Sequence, residues 1–276
     1  MGFSVPKRSG TELPPLDRKV KVLGRKTTIG KLEIRNMRKS GWAFRSFIYI
    51  ILIVLMFVFE SCQSESSSKA SSNQKSLLTN PGFEQGRVGW SWRDWSPHWA
   101  DFDISSERAR SGKESAYFRI EAKGPMERQV EVHEVVQLLK PFQFPEMVSG
   151  WYLVENWERG SPKQYLQFVA IVWGGHAEYK NYQIRYILAG VTNPPHDMAN
   201  VKYLFTPDCT ETPKQNEWVY FEVPIKDEFI RHWGMIPTGY DKIDVFFEAR
   251  YDTAPANGKK ARADVYFDDL YIGDRG

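Results

Sequence analysis

From Leu77 to Ile272 the chain is written in short runs of alternating apolar and polar residues, each closed by Gly, Pro or Asn. Successive side chains of a strand point to opposite faces, so a period of two predicts strands rather than helices. The runs fall at Ala116–Glu121, Glu134–Leu139, Met147–Val154, Tyr165–Trp173, Gln183–Leu188, Val201–Phe205, Trp218–Val223, Lys242–Tyr251 and Ala263–Ile272. Only Lys226–Trp233 has helical spacing. Many short strands with little helix imply an all-β sandwich. In Tyr165–Trp173, Leu166, Phe168, Ala170 and Val172 fill one face, which leaves Tyr165, Gln167, Val169, Ile171 and Trp173 on the other. In the strand that follows, Gln183 and Arg185 share a face opposite Tyr182, Ile184 and Tyr186. At the far end, strict alternation puts Tyr266, Asp268, Leu270 and Ile272 on one face and Phe267, Asp269 and Tyr271 on the other. Asp268 then points with apolar neighbours and needs a hydrogen bond, an ion pair or a cation.

Before Leu77 the pattern changes. Residues 1–36 are polar and basic, Arg38, Lys39 and Arg45 follow Met37, and Phe47–Phe59 is an apolar run of 13 residues. A basic lead-in and an apolar stretch shorter than the roughly 18–20 residues of a membrane-spanning helix give 37–61 the order of a secretory signal. Translation from Met37 makes 1–36 an artefact of the assigned start; translation from Met1 makes it a cytoplasmic tail. Cys62 follows the small residue Ser61 in a pattern that resembles a bacterial lipobox, although Phe59 and Glu60 depart from it. The alternatives are ordinary cleavage near Ser61 or an uncleaved anchor. Residues 62–76 are Ser-rich and poor in apolar side chains, which makes a flexible tether. The expectation is a domain over 77–276 at a bacterial cell envelope, on its periplasmic side or at the cell surface, held to the membrane by a lipid on Cys62.

Composition adds limits. With 42% hydrophobic and 14% aromatic residues the chain has ample material for a core. The net charge of +3 hides an asymmetry, because through Cys62 there are 12 Lys/Arg against 4 Asp/Glu, and afterwards 25 against 30. The basic excess lies in the leader, so nucleic-acid binding by the domain is not expected. If Cys62 is acylated, Cys209 is alone and the domain has no disulfide. The five His have no zinc-ligand spacing, and neither a nucleophile elbow nor a phosphate loop is present.

The opening Asn80-Pro81-Gly82-Phe83-Glu84 with Gly89-Trp90, the turn Ser111-Gly112-Lys113 before a strand, Gln137 in the next strand, and the closing Tyr266-Phe267-Asp268-Asp269-Leu270 resemble carbohydrate-binding modules of the galactose-binding-like jelly-roll superfamily. The likeness covers the two ends of 77–276 and not its middle. It implies a jelly roll with a structural calcium near the chain ends, held by Glu84, Asp268 and, through its carbonyl, Lys113. Read from the residues alone, Glu84 and Asp268 either share a cation or bond backbone amides or an Arg.

Sugars present flat C–H faces that pack on aromatic rings and hydroxyls that need polar side chains around them. Of the ten Trp, Trp90 and Trp218 are expected in the core, whereas Trp92, Trp95 and Trp99 lie in a Ser/Arg/Asp/Pro context suited to a binding loop. Gln167, Trp173, Gln183 and Arg185 are expected to line a groove on one sheet face. The expected function is non-catalytic carbohydrate binding; the alternative is a structural or adhesive protein that binds another protein through the same fold. A lyase or hydrolase is the third reading. Acids are plentiful, but no defined acid–base pair stands out, and no catalytic residue is assigned.

Overall fold

A computed structural model describes residues 75–94, 98–122, 130–174, 181–236 and 239–276. The leader, the lipidation candidate Cys62, most of the tether and Trp95 therefore lie outside the described residues. Among the described residues the strands are β1 (Trp99–Ala100), β2 (Asp103–Ser105), β3 (Ser115–Ala122), β4 (Glu131–Leu139), β5 (Met147–Glu158), β6 (Gln164–Gly174), β7 (Tyr182–Ala189), β8 (Val201–Phe205), β9 (Trp218–Val223), β10 (Tyr240–Tyr251) and β11 (Ala261–Gly273), with a helix, α1 (Ile225–Trp233), after β9. Each predicted strand is present, most of them longer than the apolar pattern alone suggests. The very short β1 and β2 carry no alternation to read.

The strands form a jelly-roll sandwich. One sheet has six strands in the order β1-β4-β10-β6-β7-β8, and the other has five in the order β2-β3-β11-β5-β9. Pairing is antiparallel except for β1 with β4 and β7 with β8. The inner faces interdigitate: Leu166, Phe168, Ala170 and Val172 of β6 and Val245, Phe247 and Ala249 of β10 meet Phe118, Val154, Phe221 and Phe267 of the other sheet. Phe247 is the joint, with ring centroids 5.3 Å from Phe168, 5.8 Å from Phe267, 6.1 Å from Phe221 and 6.3 Å from Trp90. Trp90 is buried, stacks on Phe83 at 5.0 Å and donates its Nε1–H to Asn80 O at 2.8 Å.

Two expectations fail for identifiable reasons. The alternation of β11 reverses midway: Val265 and Phe267 face the core, and so do Leu270 and Ile272. A bulge between Asp268 and Tyr271, with Asp269 at φ 48°, inserts the extra residue that shifts the phase. Phe267 is thus a core residue, and it does not share a face with Tyr271. Trp218 is not a core residue either: it is only half-buried and pairs with Leu153, while Val219, Phe221 and Val223 turn inward.

Replacing Phe247 by Ala should remove the ring that both sheets share. A loss of about 3–5 kcal/mol is expected for a fully buried Phe, measured as a lower urea midpoint with unchanged slope.

Candidate functional site

A sandwich has two outer faces, and here they differ in how their polar groups are satisfied. On the five-stranded sheet, Tyr117, Arg119, Glu155, Asn156, Asp264 and Tyr266 line a groove of about 420 Å³. Its centre is Asp264, which accepts bonds from Tyr117 Oη at 2.5 Å, Asn156 Nδ2 at 2.6 Å and Arg119 Nε at 3.0 Å. Burial pushes the Asp264 carboxyl up, but those three donors more than offset it and leave the group below its ordinary value. The rings nearby are also occupied. Tyr117 stacks on Tyr266 at 4.9 Å, and Trp151 carries the Arg110 guanidinium over its face at 4.2 Å. This face closes on itself.

The outer face of the six-stranded sheet does not. Cross-strand register sets Glu134 (β4), Glu248 (β10) and Gln167 (β6) in one row. The next row is Val136, Phe246, Val169 and Arg185, and the one after it runs Leu138, Asp244, Ile171 and Gln183. An apolar strip of Val136, Val169, Ile171 and Phe246, with Trp173 packed against it, therefore lies between two polar margins.

At the first margin Gln167 Nε2 donates to Glu248 Oε2 at 2.5 Å, and Arg250 reaches the same oxygen at 3.1 Å. Arg250 also grips Asp252, which accepts from Tyr165 and lies 2.8 Å from His196 Nε2. Glu134 Oε1 takes the Arg93 amide at 2.8 Å, and the Trp99 side chain bonds the same carboxyl. At the second margin Asp244 Oδ2 accepts Arg93 at 2.7 Å and Trp173 Nε1 at 2.9 Å. Lys242 sits 5.4 Å over the Trp173 ring.

Among the described residues four buried oxygens on this face have no hydrogen-bond partner, Glu134 Oε2, Gln167 Oε1, Asp244 Oδ1 and, beside Arg185, Tyr203 Oη, although the Lys242 ammonium stands 3.8 Å from Asp244 Oδ1. Glu134 and Gln167 are wholly buried and Asp244 is 1% exposed. Burial, aided by the neighbouring Glu248 carboxylate, pushes the Glu134 carboxyl up to about 8.

Gln167, Trp173, Gln183 and Arg185, expected together from alternation, do share this face. Gln183 and Arg185 bond each other, Oε1 accepting Nε at 3.0 Å and a terminal guanidinium nitrogen at 2.8 Å. Trp99 joins them beside Glu134. Trp92 does not, since it packs against the core between the sheets. Sequence reasoning missed Glu134, Asp244, Glu248, Arg250 and Arg93. The β10 run Ile243-Asp244-Val245-Phe246-Phe247-Glu248-Ala249-Arg250 held the signal, because its period-two pattern sets both acids and Arg250 opposite the core residues.

The opening and closing motifs also meet. Glu84 Oε1 accepts the amides of Lys113 at 2.7 Å and Glu114 at 2.9 Å, and Asp268 accepts those of Arg110, Ser111 and Asp269. Gly112, at φ 62°, is required here, because a Cβ would lie 2.2 Å from Glu84 Oε1. Burial raises the Asp268 carboxyl to about 6 against the pull of the three amides. The loop turns N–H groups, that of Lys113 included, toward both carboxylates, whereas a cation needs oxygens. Among the described residues no three carboxylate, imidazole or thiolate side chains converge. As placed, this set does not fit a calcium ion.

No family model matches the chain, and no curated protein does. Solved structures similar to it include the module TmCBM61 in complex with β-1,4-galactotriose, at 14% identity and TM-score 0.38 over 72% of this chain and 98% of that one. The CBM22-1 xylan-binding domain from Paenibacillus barcinonensis is 14% identical, with TM-score 0.35 over 73% and 97% of the two chains. A non-crystalline-cellulose-specific CBM28 is 13% identical, with TM-score 0.39 over 72% and 96%. Likenesses this distant assign neither a ligand nor an activity to this chain.

The raised Glu134 carboxyl has a consequence for stability. The folded state holds a proton that the unfolded state releases near 4.5, so this group's favourable contribution is complete below that value and is lost as pH rises through about 8. Urea titrations from pH 5 to 9, a range chosen to span roughly that window, should show wild type losing stability with rising pH relative to Glu134→Gln.

Proposed function

We propose that the outer face of the six-stranded sheet binds a poly- or oligosaccharide without transforming it. The observation that carries this reading is the set of buried oxygens without a hydrogen-bond partner, those of Glu134, Gln167, Asp244 and Tyr203, around an apolar strip. A buried polar atom without a partner costs on the order of 1–3 kcal/mol. A sugar's hydroxyls donate and accept hydrogen bonds and its C–H faces pack on aromatic rings; with Val136, Val169, Ile171 and Phe246 at most 3% exposed, it is the accessible edge of this face that such a ligand would meet. Trp173 and Arg185 are half-buried rather than closed off, and they give the ligand a point of contact. Among the described residues the opposite outer face shows no such oxygen.

We further propose that the domain is tethered to a bacterial envelope membrane through an acyl chain on Cys62. The basic lead-in, the apolar run Phe47–Phe59 and the Ser-rich spacer support it.

One observation favours a second, hydrolytic reading. Glu134 held neutral beside the Glu248 carboxylate is the kind of unequal acid pair on which glycoside hydrolysis relies. Against it, Glu248 is already engaged by Gln167 and Arg250. Thiol catalysis has less support: burial raises Cys209 to about 11, and its Sγ lies 3.2 Å from Val191 O.

Titration of tryptophan fluorescence against soluble poly- and oligosaccharides should give a saturable change for one glycan class, without release of reducing ends. Trp173→Ala should weaken that binding roughly tenfold or more, about 1.4 kcal/mol. Silence across the panel from folded protein would favour a protein partner. In a separate test, Cys62→Ser should move the protein from the membrane fraction to the soluble one and abolish incorporation of labelled fatty acid.

A further inference from the structure

Large apolar side chains left in solvent are not scattered evenly over the domain. Among the described residues eight are exposed, and four of them, Leu77, Phe142, Ile230 and Met235, lie at one end of the sandwich. Register fixes that end. It is where β4 leaves at Leu139 and β10 enters beside Ile243, where β6 meets β10 at Gly174 and Tyr240, and where Met147 pairs with Gly273.

The pieces that carry these residues are tied together. Phe144 packs on Phe229 of α1 at 5.0 Å and on Tyr240 at 5.9 Å, and Tyr240 Oη donates to Pro141 O at 3.2 Å. Lys226 of α1 pairs with Glu146 at 2.8 Å, and the Arg275 amide reaches the same carboxylate at 3.3 Å. Phe142 stands out within this frame. Its neighbours Phe144 and Pro145 are buried, yet its own ring is 99% exposed at the tip of a turn held from both sides. A ring fixed in water by a rigid turn has no role in the fold.

The chain also enters the domain here. The Leu77 amide donates to Ile272 O at 2.7 Å, and Ser76 Oγ accepts the Ile272 amide at 3.3 Å. Everything toward the tether and the apolar run Phe47–Phe59 departs from this end. Lys75 and Lys140, both exposed, flank the apolar residues, and neither is seen in an ion pair among the described residues. Apolar side chains at a tip with lysines beside them suit the boundary between lipid headgroups and acyl chains.

We propose that this end is a membrane-contact surface, with Phe142 inserted at the headgroup boundary beside Leu77, Ile230 and Met235, so that the domain stands on the bilayer. The proposal rests on the membrane-anchored reading of the leader. Its consequence is orientation: the loop that crosses from β10 in one sheet to β11 in the other, at Asn257, points away from the membrane, and the glycan-binding face stands upright along the sandwich.

Photo-crosslinking of the full chain in phospholipid vesicles tests this, with p-benzoylphenylalanine placed at Phe142 or, as a control, at Asn257. Vesicle flotation is scored first, and failure to float would refute the anchored reading itself. For protein that floats, mass spectrometry should find lipid adducts at position 142 severalfold more abundant than at 257. Equal or absent lipid adducts at 142 in floating protein would overturn the proposal while leaving the anchor standing. A protein adduct at 142 in cells, in place of lipid, would overturn it too and assign the surface to a protein partner.

Discussion

A buried polar atom must find a partner, and the six-stranded sheet is arranged around that requirement. Its inner face needs only apolar packing, which Phe247 and its neighbours supply. Its outer face buries Glu134, Asp244, Glu248, Arg250 and Gln167, groups that rarely lose contact with water unless they are paired. Most of their capacity is spent internally: Arg250 holds Glu248 and Asp252, while Arg93 and Trp173 hold Asp244. What is left over is one oxygen each on Glu134, Gln167 and Asp244 without a hydrogen-bond partner, that of Asp244 with the Lys242 ammonium 3.8 Å away.

The two outer faces show why composition alone does not make a site. The five-stranded sheet is equally rich in Tyr, Arg and carboxylate and has an open groove. There every conspicuous group has been answered by a neighbour: Asp264 by three donors, Tyr117 by Tyr266, and Trp151 by Arg110. A saturated network rigidifies a sheet, whereas a buried polar atom left without a partner is costly.

Two clusters at the end where the chain enters divide their work in a similar way. The opening and closing motifs are spent on holding a loop, with Glu84 and Asp268 gathering five backbone amides between them. The turn at Phe142, at the same end, instead leaves its ring fully in solvent. One arrangement satisfies its groups within the fold, and the other leaves apolar surface that something outside the fold must cover.

The sequence by itself determined the elements and their faces, since a strand's alternation is a local property of the backbone. Gln167, Trp173, Gln183 and Arg185 could be placed on one face because β6 and β7 keep strict period two through that region. The same rule failed at Asp269, where a single left-handed residue resets the phase of β11, and it misjudged Trp218, because a Trp that starts an edge strand looks the same in sequence whether it faces in or out. Tertiary structure alone decided what depends on partners distant in the chain. Glu134 meets Glu248, 114 positions further along the chain, Arg93 reaches Asp244, and the loop at Lys113 turns its amides rather than its carbonyls to Glu84. Whether a carboxylate is answered or left wanting is a property of such encounters, and no local pattern encodes it.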